Sequence, residues 1–181
     1  MNQFGTEWQC TELVVRWAAA AWGEGNFNAW KLAGWDGAAQ DMWKVTHLVH
    51  PLKQLANGSA TQPQFGDLII FHELPGISGP GHVGVVLSVN RATGKLTFIS
   101  ENNGGVLGAV VQVPITSANH VSTTGFSGNL TVTGWMRPAA PTTTVAPTSG
   151  YPTDPICKKY GFTQPNTMLT VSGTYYTPET P

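Results

Sequence analysis

The chain has 181 residues, a formal net charge of −1 and only 10% charged residues. This length suits one domain with a hydrophobic core and is too short for two large domains. The sequence has no cluster of Lys and Arg of the kind that binds nucleic acid, so we expect no nucleic-acid partner. The 21 glycines and 13 prolines favour a loop-rich α+β domain over a helical bundle.

The first predicted element is an amphipathic helix at about residues 6–22, TEWQCTELVVRWAAAAW. Its apolar side chains recur at helical spacing, and Gly23 is placed to end it. Thr6 followed three residues later by Gln9 resembles a capping box. This start would leave Cys10 in the first turn, where free backbone N–H groups and the helix dipole favour a thiolate. Cys10 is therefore a candidate nucleophile.

The same segment bears on export and on membranes. Its longest apolar run, WAAAAW, is far shorter than the roughly 20 residues of a membrane span, so no span is expected. No charged segment followed by an apolar one precedes Phe4, so we expect no secretory signal here. Cys10 and Cys157 could form one disulfide at most, which is no disulfide framework.

The next region, residues 28–45, is helical in pattern but interrupted by glycines, and it predicts one or two short helices. From residue 65 the chain changes to short β-branched segments separated by turn residues, which is typical of an antiparallel sheet. The predicted strands are FGDLIIF (65–71), GHVGVVLSVN (81–90), KLTFISEN (95–102), AVVQVPI (109–115) and LTVTGWM (130–136). The prediction is an α+β fold with N-terminal helices packed on an antiparallel β-sheet.

The composition changes again after this sheet. Residues 139–150, AAPTTTVAPTSG, are a Pro/Thr-rich linker, and residues 151–181 form a short C-terminal extension of unknown role. The extension is too short to bury a core by itself. Residues 1–138 are therefore predicted to form the folded domain.

Nucleophilic cysteine catalysis needs a thiol, a base within hydrogen-bond reach and a group that orients the base. His82 is the candidate base because it opens a predicted strand directly after the turn GPG. If residues 91–94 make the turn to the next strand, His82 faces Asn103 and Gly84 faces Glu101. Glu101 and Asn103 would then share the sheet face of His82. A shift of one residue would reverse this arrangement.

Five blocks of the sequence resemble the cysteine, histidine-dependent amidohydrolase/peptidase (CHAP) domain of the papain-like clan. They occur in the order of that family across residues 8–138. The resemblance implies Cys10 as nucleophile, His82 as general base and acid, Glu101 as the residue that orients His82, and Asn103 as a supporting fourth residue. The blocks are WQCTELVVRW, FGDLIIF, GHVGVVLSV, ISENN and GWMRP.

The resemblance also implies the reaction. Cys10 would attack an amide carbonyl, His82 would protonate the leaving amine, and water would then hydrolyse the thioester. The backbone N–H of Cys10 would hold the oxyanion, with the Gln9 side chain as a weaker second candidate. This chemistry needs no cofactor. The implied substrate is bacterial cell-wall peptidoglycan, cut by a monomeric amidase or endopeptidase that is secreted, wall-associated or phage-derived.

Two other functions stay open at this point. WQC and LKQLANGSATQPQFGDLIIF also resemble the amidase domain of glutathionylspermidine synthetase/amidase, which uses the same chemistry on a small conjugate. The seven Trp residues could instead form a platform on a domain that only binds cell wall. A zinc site is not expected, because the remaining histidines lack a zinc-binding spacing. These are His47, His50, His72 and His120.

Overall fold

A computed structural model describes residues 3–103 and 106–139. Within these residues, two α-helices and one 3-10 helix precede a single antiparallel sheet of six strands, which confirms the predicted α+β fold. The extension, Cys157 and all of the linker except Ala139 lie outside the described residues. The helices are α1 (Cys10–Trp22), α2 (Phe27–Leu32) and the 3-10 helix (Ala39–Lys44); the strands are β1 (Leu52–Ala56), β2 (Leu68–Glu73), β3 (His82–Asn90), β4 (Lys95–Asn103), β5 (Val106–Pro114) and β6 (Leu130–Pro138).

The sheet, in the order β1-β6-β2-β3-β4-β5, separates two hydrophobic cores. The helix-side core lies between the sheet and the helices and contains residues of α1, such as Val14. The far-side core lies on the opposite face and includes aromatic residues of β2, β4 and the loop between β5 and β6. Because side chains alternate along a strand, Val83 and Val85 of β3 enter the helix-side core, whereas Val86 enters the far-side core.

Helix α1 begins four residues later than the sequence predicts. Trp8 has a left-handed backbone (φ 65), and Gln9 is an extended N-cap whose side chain makes no capping hydrogen bond. The predicted capping box between Thr6 and Gln9 is therefore wrong. Gly23, with φ 69, ends the helix as predicted. Cys10 becomes the first residue of α1. Within the described residues, no helix is long and apolar enough to span a membrane.

Strand β1 is the one element that the sequence pattern did not indicate. Its sequence, LKQLA, has no β-branched or aromatic residue, so its local β propensity is low. It forms because it pairs with β6, from Leu52 opposite Pro138 to Ala56 opposite Gly134. Tertiary pairing here overrides local preference.

The hairpin of β3 and β4 starts in the predicted register and then departs from it. Asn90 pairs with Lys95 as expected, and the two following pairs keep the same register. A bulge at residue 87 then shifts the ladder by one residue, so that Val85 pairs with Ile99. The predicted placement of His82 opposite Asn103 is therefore wrong. The bulge adds one residue to β3, which no hairpin-length argument can foresee.

Candidate active site

Cys10 lies where α1 meets β3, and it is 8% exposed. Burial dominates its electrostatics and raises the pKa of the thiol to about 11, and the negative charge of Glu101 acts in the same direction. The backbone N–H groups of Val83 and Thr11 reach the sulfur and oppose this shift by favouring the thiolate. Cys10 therefore rests as a neutral thiol that is already supplied with N–H donors.

His82 is the first residue of β3 and is 7% exposed. Its ring lies 6.0 Å from the ring of Phe71 and 5.5 Å from that of Phe126, both on the far side of the sheet. Burial lowers the pKa of His82 to about 4, although the hydrogen-bonding side chain of Asn103 opposes the shift. The buried Nε2 atom has no hydrogen-bond partner among residues 3–103 and 106–139. The ring is therefore neutral at pH 7, as a general base must be.

Cys10 and His82 are neighbours through the backbone but not through their side chains. The N–H that reaches the sulfur belongs to Val83, so it is part of the peptide that joins His82 to Val83. In the part of the chain that the structure describes, no hydrogen bond joins the Cys10 thiol to the His82 ring. The ring lies on the far side of the sheet, while α1 lies on the helix side.

Glu101 and Asn103 do not share a face, which corrects the sequence prediction. Glu101 is buried on the helix side, and its Oε1 lies 3.5 Å from the Arg16 guanidinium. Asn103 bonds Ser100 through its side chain, accepting from the hydroxyl at 2.9 Å, and it also interacts with His82. Asn102, which has a left-handed backbone (φ 56), stands between them and interrupts the strand alternation. Asn103 contacts His82 through a side-chain hydrogen bond.

A family model for the CHAP domain matches residues 1–103, which is more than half of the chain. The chain belongs to the CHAP domain family. CHAP domains are associated with amidase and peptidase activity on peptidoglycan, and they occur in cell-wall-acting proteins that are often secreted or phage lysins. The matched region of this CHAP domain runs from the N-terminus to the end of β4 and so includes all four predicted catalytic residues. A comparison with curated proteins found no match.

Arg16 of the CHAP domain contacts one of the candidate site residues, and the sequence analysis did not single it out. Its Nη2 atom donates to Oε2 of Glu12 at 2.9 Å, and the same atom lies 3.5 Å from Glu101. Both carboxylates are buried. The spacing of Glu12 and Arg16, four residues apart on a helix, is a signal for the first contact. Nothing in the sequence indicates the second contact, because it joins α1 to β4.

A pocket of about 590 Å³ lies on the far side of the sheet of this CHAP domain. Most of its lining comes from the loop between β5 and β6, including Phe126, which also packs against His82. Its side chains are hydroxyls and apolar groups, with one histidine. The lining residues are Leu74, His120, Val121, Ser122, Thr123, Thr124, Gly125, Phe126, Ser127, Gly128, Leu130, Thr131 and Val132. Among residues 3–103 and 106–139, no group of three or more His, Cys, Asp or Glu side chains could hold a metal ion.

Proposed function

We propose that this protein is a cysteine hydrolase that cleaves an amide bond of bacterial peptidoglycan through a thioester on Cys10. The observation that carries the proposal is the position of Cys10. Its sulfur lies at the first residue of α1 and receives the N–H of the peptide that follows His82. The candidate nucleophile thus lies against the backbone beside the candidate base.

The protonation states favour general-base catalysis over a preformed ion pair. Because burial keeps both Cys10 and His82 neutral, the thiol proton moves to His82 only as sulfur attacks the carbonyl carbon. That transfer requires the ring to move from its place beside Phe126 toward Cys10, and within the described residues Nε2 has no hydrogen bond to break. His82 then gives the proton to the leaving amine, and the C–N bond breaks to form the thioester. Water, deprotonated by His82, releases the acid and regenerates the thiol.

The developing oxyanion has a donor at the start of α1. The N–H of Cys10 is at the first helical position, where a helix offers no acceptor of its own. For the orientation of His82 we assign Asn103, since it contacts the ring. Glu101 is assigned instead to the pair with Arg16, which fastens β4 to α1. Asn103→Ala should therefore cost more turnover than Glu101→Gln, and the reverse order would restore Glu101 as the orienting residue.

The charges around Cys10 favour peptidoglycan over a polyamine conjugate. A polyamine needs carboxylates that are accessible to its cations. Glu12 and Glu101 are buried against Arg16, so Glu7, three residues before Cys10, is the exposed carboxylate that the N-terminal segment offers. The far-side pocket that shares Phe126 with His82 is lined by hydroxyl and apolar groups. Such surfaces suit uncharged peptide and glycan.

Purified peptidoglycan, incubated with the full chain and analysed by mass spectrometry, tests this function. We expect new amine and carboxylate ends from the native protein and none from Cys10→Ala, whose fold is checked by its melting curve. Cys157→Ser is the matched control and should cleave normally. Glutathionylspermidine is tested separately. Cleavage of that conjugate alone would overturn the peptidoglycan assignment, and activity of Cys10→Ala would overturn the nucleophile.

A further inference from the structure

Two residues beside Cys10 have an unusual backbone. Among residues 3–103 and 106–139, three non-glycine residues have a positive φ, and two of them are Trp8 (φ 65) and Asn102 (φ 56). A left-handed conformation is disfavoured for any residue with a Cβ, and more so for a bulky one such as Trp. Such conformations persist only where surrounding contacts hold them, and they concentrate at functional sites.

A hydrogen bond links these two segments. The Asn102 side chain donates from Nδ2 to Oε1 of Gln9 at 2.9 Å, although the two residues are 93 positions apart. Gln9 lies between Trp8 and Cys10 and is the N-cap of α1, and its carbonyl accepts the backbone N–H groups of Glu12 at 2.9 Å and Leu13 at 3.2 Å. The bond therefore connects the start of α1 directly to β4.

The backbone of Asn102 has a second effect on the same site. By interrupting the alternation of β4, it leaves Glu101 on the helix side with Arg16 and places Asn103 beside His82. The side chain of Asn102 thus contacts Gln9, and its backbone conformation sets the place of Asn103 beside His82. Asparagine suits both tasks, because it tolerates the left-handed region and carries an amide donor.

We propose that Asn102 is a positioning residue, whose hydrogen bond to Gln9 holds the strained segment before Cys10 against β4. The proposal rests on the proposed function for its link to catalysis, but the position of the Cys10 thiol can be measured without substrate. Loosening this segment should expose the buried sulfur to water, while moving it away from the N–H of Val83. Reactivity toward a small alkylating agent should then rise as turnover falls.

Asn102→Gly is the test variant, because glycine keeps the left-handed backbone and removes only the amide. Alkylation by iodoacetamide is followed across pH in a Cys157→Ser background, where Cys10 is the only thiol. We expect alkylation at about pH 8 to be about fivefold faster and turnover number to be about fivefold lower, as for the loss of one hydrogen bond. The Michaelis constant should change less than the turnover number.

Asn119→Gly is the matched control. Asn119 is also a left-handed asparagine (φ 60), and its side chain donates to the carbonyl oxygens of Ser59 and Ala60 in another loop. This variant should lower stability without changing the alkylation of Cys10. Gln9→Met should reproduce the effect of Asn102→Gly, and the double variant should add nothing further, since one contact is removed in each case.

Four outcomes overturn the positioning role: unchanged alkylation in Asn102→Gly, an equal increase in the control, additive effects of the two substitutions, or alkylation that rises while turnover stays unchanged. The last outcome would leave the bond as a structural contact only. If the native protein fails to cleave peptidoglycan while Asn102→Gly still speeds alkylation, the proposed function fails and the positioning of Cys10 stands. The two proposals are therefore separable.

Discussion

The burial of His82 predicts a specific dependence of stability on pH. Burial lowers the pKa of His82 to about 4 in the folded protein, compared with about 6.5 in an unfolded chain. Between these pH values the unfolded chain binds a proton that the folded protein excludes, so the free energy of unfolding decreases as the pH falls. The full effect is about 3 kcal/mol, at about 1.4 kcal/mol for each pH unit. The stabilisation is complete above about pH 6.5 and is lost by about pH 4.

The perturbation is His82→Gln, which removes the titrating group. Urea unfolding of both proteins is followed by Trp fluorescence at intervals from about pH 7.5 to about pH 4.5. Over this range the native protein should lose about 2 to 3 kcal/mol more than the variant does. His72→Gln, at an exposed position next to the end of β2, is the matched control and should keep the slope of the native protein.

Parallel pH profiles of the native protein and His82→Gln would refute this reasoning. That result would mean that the folded protein binds a proton on His82 as readily as the unfolded chain does. A steeper loss in the native protein supports the exclusion of that proton by burial.

Three further changes test the surroundings of this site. Glu101→Gln should lower the pKa of the Cys10 thiol, because the negative charge of Glu101 raises that pKa. The pH profile of Cys10 alkylation in a Cys157→Ser background measures the change. An upward shift of the pKa would contradict the prediction. Arg16→Met removes the cation that two buried carboxylates share. It should lower the free energy of unfolding, measured by urea unfolding, by about 3 kcal/mol. A loss below about 1 kcal/mol would show that these contacts contribute little. Gly81→Ala should lower both stability and turnover. Gly81 has a left-handed backbone (φ 68), and an added Cβ would lie 2.5 Å from a carbonyl oxygen of β2. This residue directly precedes the candidate base His82. Gly76 is also left-handed (φ 87), but the space around an added Cβ is open. Gly76→Ala should therefore lower the free energy of unfolding by only about 1 kcal/mol. Equal losses at the two glycines would contradict the steric argument.

Local sequence patterns were sufficient for most of the architecture. Helical spacing with Gly23 predicted α1 and its end, and β-branched segments between turn residues predicted five of the six strands. Strand β1 was not predicted, because LKQLA has no local β preference and its strand forms only by pairing with β6. Five sequence blocks in the order of the CHAP family indicated that family, which the family match to residues 1–103 confirms.

The arrangement of the candidate site was decided by tertiary structure. Side chains alternate between the two faces of a sheet only where the strand backbone is regular. The bulge at residue 87 of β3 and the left-handed Asn102 of β4 each interrupt that alternation. Asn102 separates Glu101 from Asn103, two residues that simple alternation assigns to one face, and the bulge shifts His82 out of register with Asn103. The contact of Arg16 with Glu101 likewise depends on how α1 packs against β4. Sequence determined which groups the protein contains and in which elements, because those preferences are local. Long-range packing decided which side chains meet. A bulge or a single left-handed residue changes that outcome and leaves no local signal in the sequence.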